Sequence, residues 1–175
     1  MFDISEEIID ILLLIPCFNE EENIEHIIEH LQHVKQNLHN RNELNLEILI
    51  INDGSTDKTM QILEKNNQDS FFNIINFKEN KGYGYTLISG FKYAKERNFS
   101  WIISFDMDGQ HEPKCLYNFI DRILEKPPEQ IISGSRYKNS NNFWENPWKD
   151  RFLVMRLLPE FSILLDFLLQ MHFVD

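Results

Sequence analysis

"EILIINDGSTDKT", Glu47 to Thr59, carries the repeating unit of the fold. Apolar side chains run without alternation from Ile48 to Ile51, so a strand here is buried on both faces, as in a parallel sheet covered by helices. The run stops at Asn52-Asp53-Gly54-Ser55-Thr56, a cluster of turn formers, and Asp57 opens a segment with helical spacing that continues to Asn67.

The same unit recurs on both sides of it. Apolar runs at Ile11–Ile15, Leu46–Ile51, Asn73–Phe77, Trp101–Phe105 and Gln130–Ser133 read as strands. Helical spacing covers Glu21–Leu38, Asp57–Asn67, Tyr85–Arg97 and Pro113–Glu125 between them. This alternation predicts an α/β fold with a mainly parallel sheet and right-handed crossovers. Asn19 followed by Glu22 has the spacing of a helix N-cap and its capping partner, and Pro113 suits a first helical position. A polar loop follows from Lys138 to Pro147. The apolar tract from Lys149 onward is interrupted by Arg156, Pro159, Glu160 and Asp166 too often to span a bilayer, and reads as two short helices. The chain thus divides into residues 1–142, which carry the sheet, and a C-terminal helical segment of the same domain, 143–175. The ending "MHFVD" reads either as the cut edge of a longer protein or as a natural C-terminal helix packed on the sheet.

Composition sets the partners. With 175 residues, 42% of them hydrophobic, the chain has material for one compact core. Its formal net charge of -11 repels phosphate backbones and excludes nucleic acid as an expected partner. An anionic ligand binds only where a metal ion, a helix N-terminus or a few Lys and Arg reverse the local sign. Two cysteines, Cys17 and Cys115, suggest neither a disulfide framework nor a zinc site, and the N-terminus lacks a signal peptide. Both point to a cytoplasmic location.

In open parallel sheets, ligands bind beyond the carboxyl ends of the strands. Each strand here is followed by polar or glycine-rich residues: Pro16 to Glu20, Asn52 to Asp57, Asn80 to Gly84, Asp106 to Gln110, and Gly134 to Arg136. Side chains two apart in an extended segment point the same way, so Asp106 and Asp108 can present oxygens to one hard cation, Mg²⁺ or Mn²⁺, with Gln110 as a third ligand. An EF-hand is excluded, because His111 and Tyr117 stand where that loop needs Gly and Glu. Asp53 fits either an Asp-Gly turn that caps the next helix or an acceptor for a ribose or base edge. Lys81 and the glycines after it offer charge and backbone approach to phosphate, although position 87 is Leu and the dinucleotide fingerprint fails. Arg136, Lys149 and Arg151 can offset a diphosphate. His26, His30 and His33 read as a solvated helix face, and His111 as an exposed loop residue.

Taken in order and spacing, "LLLIPCFNEEENI", "EILIINDGSTDKT", "NKGYGYTLISGF", "WIISFDMDGQHEP" and "GSRY" resemble the family-2 inverting glycosyltransferases, most of all the branch of dolichyl-phosphate mannose synthase and bactoprenyl-phosphate glucosyltransferase. The resemblance runs from about Ile11 to Arg151. It implies a GT-A fold that binds a nucleotide-diphospho-sugar of the GDP-mannose or UDP-glucose type. Pro16, Asn19 and Glu20 would line the nucleobase pocket with Asp53. Asp106 would contact the ribose or metal, Asp108 and Gln110 the metal, and Arg136 and Arg151 the diphosphate. The implied acceptor is a polyprenyl phosphate, reached at the cytoplasmic face of a membrane. The alternatives are a saccharide acceptor in cell-surface polysaccharide synthesis and a nucleotide-sugar-binding module without transfer activity. In the family, the chain continues past a segment beginning with Asp-Pro, where this one stops.

Overall fold

The structure is a computed structural model that describes residues 8–67, 69–106, 115–126 and 131–132, and the backbone of 154–156. Its elements in chain order are β1 (Ile9–Cys17), α1 (Ile24–Leu38), β2 (Leu44–Asn52), α2 (Thr59–Asn66), β3 (Asn73–Asn76), α3 (Tyr83–Glu96), β4 (Trp101–Ser104), α4 (Cys115–Leu124), β5 (Ile131–Ile132) and β6 (Val154–Arg156). They build one sheet in the order β3-β2-β1-β4-β6-β5. β1 pairs parallel with β2 and with β4, and β2 pairs parallel with β3.

The apolar runs behave as their sequence demands. Ile11, Leu13, Ile15 and Cys17 point to one face with the buried side of α1, Leu63 of α2, and Leu116, Phe119, Ile120 and Ile123 of α4. Leu12 and Leu14 point to the other, where they meet Leu49, Ile51, and Phe91 and Ala94 of α3. The placement of α1, α2 and α3 follows from crossover handedness. Stepping from β1 through β2 to β3 puts α1 and α2 on one face, and stepping back from β3 to β4 puts α3 on the opposite one. Gly90 lets α3 sit close: a Cβ there would lie 2.3 Å and 2.4 Å from the two methyl carbons of Leu14.

The reversal of direction places a topological switch between β1 and β4, where the outgoing connections diverge. In a doubly wound sheet this is where the ligand crevice opens.

Two expectations need correction. Val154–Arg156 is a strand, antiparallel to β4 and β5, within the tract read as helices. The remainder of that tract, like the loop 138–147 and Pro113, lies outside the described residues. The capping box at Asn19 does not form. Asn19 has a left-handed φ of 55° and gives its side-chain oxygen to the Thr56 N–H. Glu20 organises the helix entry instead: its carbonyl accepts from Asn23 and Ile24 N–H, its carboxylate accepts from the Asn23 amide, and α1 begins at Ile24.

Candidate functional site

A cavity of about 290 Å³ opens at the switch point, lined by Pro16, Cys17, Phe18, Glu20, Asp53, Asn80, Tyr83, Thr86 and Asp106. A larger groove of about 560 Å³ lies between the end of α1 and Asp69–Phe71, at the amino edge of the parallel strands, opposite their carboxyl ends.

Asp53 fixes the geometry of the cavity wall. It is 4% exposed, and its two carboxylate oxygens accept from the backbone N–H groups of Lys81 at 2.7 Å and Gly82 at 2.9 Å. Its own N–H donates to the Cys17 carbonyl at 2.8 Å. The end of β2 is therefore tied to both the end of β1 and the start of α3. Gly54 makes the approach of the 79–82 segment possible. Its φ is +67°, and a Cβ there would stand 2.4 Å from the Glu79 carbonyl carbon and 2.6 Å from the Asn80 nitrogen.

The turns after β1 and β2 are cross-linked by side chains bonded to backbone. Asn19 N–H donates to Ser55 Oγ at 2.9 Å, Glu20 N–H to Thr59 Oγ1 at 2.8 Å, and Lys58 N–H to Glu21 Oε2 at 2.9 Å. Asp57 accepts from Thr59 N–H at 2.9 Å and Glu21 N–H at 3.2 Å. Burial pushes its carboxyl up, but the hydrogen bonds from Thr59 and Glu21 outweigh it and hold the group below the ordinary carboxylate range. Asn52 extends the network to the sheet edge, its amide donating to Asn76 Oδ1 at 2.8 Å. Loops held this way keep the cavity walls in place.

Across the cavity, Asp106 follows the end of β4, with Phe105 N–H donating to the Leu14 carbonyl at 3.0 Å. The Tyr83 hydroxyl donates to Asp106 Oδ1 at 3.1 Å. Cys17 lines the cavity as a neutral thiol, pushed up to about 12 by burial, then by Glu20 and Asp57. The charged groups of the lining, Glu20, Asp53 and Asp106, offer hard oxygens, the ligand type that suits Mg²⁺ or Mn²⁺. Among the described residues, no group of three or more His, Cys, Asp or Glu is placed to hold a metal ion.

Of the residues expected from sequence, Pro16, Glu20, Asp53 and Asp106 converge on the cavity. Asn19 and Lys81 are not among its lining residues. Asn19 serves the turn network, and the Lys81 ammonium rests over the rings of Tyr85 at 4.8 Å and Phe77 at 5.4 Å. Asp108, Gln110, Arg136 and Arg151 lie outside the described residues. Cys17, Phe18, Asn80 and Tyr83 stood in the strand-end segments without an assigned role, and Thr86 lay beyond them. Placing the start of α3 at Tyr83 rather than Tyr85 is the signal that finds two of them, since 83 and 86 share one helix face.

The profile of the family described as "Glycosyl transferase family 2" matches residues 13–174. A UDP-N-acetylglucosamine–dolichyl-phosphate N-acetylglucosaminyltransferase from Methanococcus voltae is 33% identical over an alignment covering 78% of this chain and 56% of that protein. A polyprenol monophosphomannose synthase from Mycolicibacterium smegmatis is 26% identical, covering 79% of this chain and 49% of that one. A poly-β-1,6-N-acetyl-D-glucosamine synthase from Staphylococcus aureus is 27% identical, covering 78% and 31%. The chain thus spans between a third and somewhat over half of these relatives. Among solved structures, mannosyl-3-phosphoglycerate synthase from Rubrobacter xylanophilus superposes with a TM-score of 0.60 at 14% identity, covering 85% of this chain and 54% of that one. Residues 1–349 of S. aureus TarS in complex with UDP-GlcNAc superpose with a TM-score of 0.51 at 21% identity, covering 67% and 32%. The shared architecture is the GT-A fold, a mainly parallel sheet flanked by helices.

Proposed function

The chain belongs to glycosyl transferase family 2, and from that premise we propose that it binds a nucleotide-diphospho-sugar of the GDP-mannose or UDP-glucose type and transfers its hexose, with inversion, to a polyprenyl phosphate. The observation that carries this reading is the buried Asp53 carboxylate, held by two backbone N–H groups on the wall of a cavity that Asp106 faces from β4. Pro16, Glu20 and Asp53 would receive the nucleobase end, and Asp106 the ribose or metal. Two relatives are named for dolichyl-phosphate and polyprenol acceptors, and that supports the acceptor class.

The chemistry is a displacement at the anomeric carbon. A phosphate oxygen of the acceptor attacks as the bond to the donor's diphosphate breaks, and the nucleoside diphosphate leaves with the bonding electrons. An acceptor phosphate is already an anion, so no strong general base is required of the protein. Asp106, Asp108 and Gln110 would hold Mg²⁺ or Mn²⁺, which when bound offsets the negative charge of the leaving diphosphate. Arg136 and Arg151 would add positive charge there, with the Lys81 ammonium as a further contact if it leaves the rings of Phe77 and Tyr85. On this reading, 1–142 is the nucleotide-sugar-binding part, 143–175 belongs to the acceptor side, and the chain works at the cytoplasmic face of a membrane. No helix among the described residues is long and apolar enough to cross one.

The test is calorimetric titration of UDP-glucose and GDP-mannose with and without Mn²⁺, followed by transfer of labelled hexose to polyprenyl phosphate in detergent. Metal-dependent binding of one donor and a labelled, lipid-extractable product are expected. Label appearing only in a saccharide acceptor would replace the lipid reading, and donor binding without transfer to either would reduce the chain to a binding module.

A further inference from the structure

Resting on the donor-binding reading above, we propose that Tyr83 is a positioning residue for the donor: it acts as a strut across the crevice that holds the Asp106 carboxylate toward the cavity.

Tyr83 is 52% exposed although it is a large, half-apolar side chain on the first turn of α3. Its ring forms part of the cavity wall, and its hydroxyl reaches Asp106 Oδ1. Both ends of the strut are anchored. At the base, the N–H groups of Lys81 and Gly82, the two residues before it, are locked on Asp53. At the tip, Asp106 follows Phe105, whose N–H is tied to Leu14 of β1. The side chain therefore joins the carboxyl end of β2, through the backbone before α3, to that of β4. A phenol suits this role because it is rigid over its length, with two side-chain torsions, and ends in a donor for a carboxylate. Phe would keep the span and lose the donor. Thr86, on the same helix face and buried, donates back to the Gly82 carbonyl at 3.2 Å and helps hold the first turn that carries the strut.

A carboxylate free to rotate must be ordered when a donor arrives, whereas one already held is pre-organised. The test is a binding cycle on the whole chain with UDP and GDP as probes in the presence of Mg²⁺: wild type, Y83F, Y83A, D106A and Y83F/D106A, each checked for an unchanged far-UV spectrum and melting temperature. Y83F is expected to weaken binding of the preferred nucleotide about tenfold, the scale of one hydrogen bond to a charged group at a half-exposed site. In the D106A background, where no acceptor remains for the hydroxyl, the same change should move binding less than about twofold, because the two residues act as one unit. A purely structural role for the ring would make Y83A weak and Y83F normal. Wild-type affinity in Y83F, or losses that multiply in the double variant, would overturn the proposal. A wild type that binds neither nucleotide would remove the donor-binding reading and the role of Tyr83 with it.

Discussion

Replacing Asp53 with Asn tests whether the carboxylate holds the site together. The wild-type group gives one oxygen to each of two backbone donors, at 2.7 Å and 2.9 Å. An amide has one oxygen and one NH₂, so it can satisfy only one of them. The neighbouring contacts decide which orientation wins. Gly82 N–H has a second acceptor, Asn80 Oδ1 at 3.0 Å, and Lys81 N–H has no second acceptor among the described residues, so the amide oxygen should turn to Lys81. The net loss is one charge-assisted bond to Gly82, weakening of the other to a neutral bond, and an NH₂ crowding an N–H. Hydrogen bonds to charged groups contribute about 1.5–3 kcal/mol, and Gly82's residual acceptor keeps the total near that range. For a domain of this size, roughly 2–4 °C per kcal/mol places the drop in melting temperature at about 3–12 °C. Guanidinium unfolding followed by far-UV circular dichroism measures the loss directly, with an unchanged slope indicating intact compactness. Asn80→Ala alone should cost under about 1 kcal/mol, but Asp53→Asn with Asn80→Ala should exceed the sum, because Gly82 N–H then loses both acceptors. A variant within about 0.5 kcal/mol of wild type, or an additive double variant, refutes the reasoning.

Two further outcomes follow from the same turns. Gly54→Ala forces a side chain into a left-handed backbone and onto the Glu79–Asn80 peptide; about 1–2 kcal/mol for the conformation plus the overlap gives a total near 3 kcal/mol or more, and a loss under 1 kcal/mol in urea unfolding would contradict it. Asp57→Asn removes a carboxylate whose folded value lies below its unfolded one, so its contribution is complete above about pH 4 and fades as pH falls through the folded value. The variant should be less stable than wild type at pH 7 by under about 1 kcal/mol, since the group is half-exposed and screened, and the gap should narrow as the pH falls below the ordinary carboxylate range. A gap that stays unchanged on acidification points to packing instead.

Much of the fold was legible because its central strands are buried on both faces. Leu12 to Ile15 and Ile48 to Ile51 can do little but occupy the middle of a covered sheet. β6 was not legible for the converse reason. It lies in a tract apolar at nearly every position, where no period separates strand from helix, and its assignment depends on pairing with β4 through Met155 and Ile102. Pro16, Glu20, Asp53 and Asp106 meet at one cavity because each stands at or just after the carboxyl end of a strand. Asn19 and Lys81 were read for their chemistry alone. The cap was lost because a turn 37 residues away offers Asn19 a backbone donor, and the lysine rests elsewhere because Phe77 and Tyr85, four residues to either side, present their ring faces to it. Local pattern specifies what a residue can bond, and the tertiary fold chooses among the partners.

The charge of the cavity bears on how a donor would be held. Glu20, Asp53 and Asp106 face one space in a chain of net charge -11, and its described lining contains no Lys or Arg. Hydrogen bonds reach all three from neutral donors, namely the Asn23 amide, the N–H groups of Lys81 and Gly82, and the Tyr83 hydroxyl. These bonds orient the carboxylates, whose oxygens suit the N–H and O–H donors of a base and ribose better than a phosphate. On the proposed reading, the donor then divides into two parts. Its nucleoside binds here by hydrogen bonds, while its diphosphate depends on Mg²⁺ or Mn²⁺ and on Arg136 and Arg151. The acidity of the chain works against binding only at the diphosphate, and for that reason the divalent ion belongs to donor binding itself as well as to departure of the leaving group.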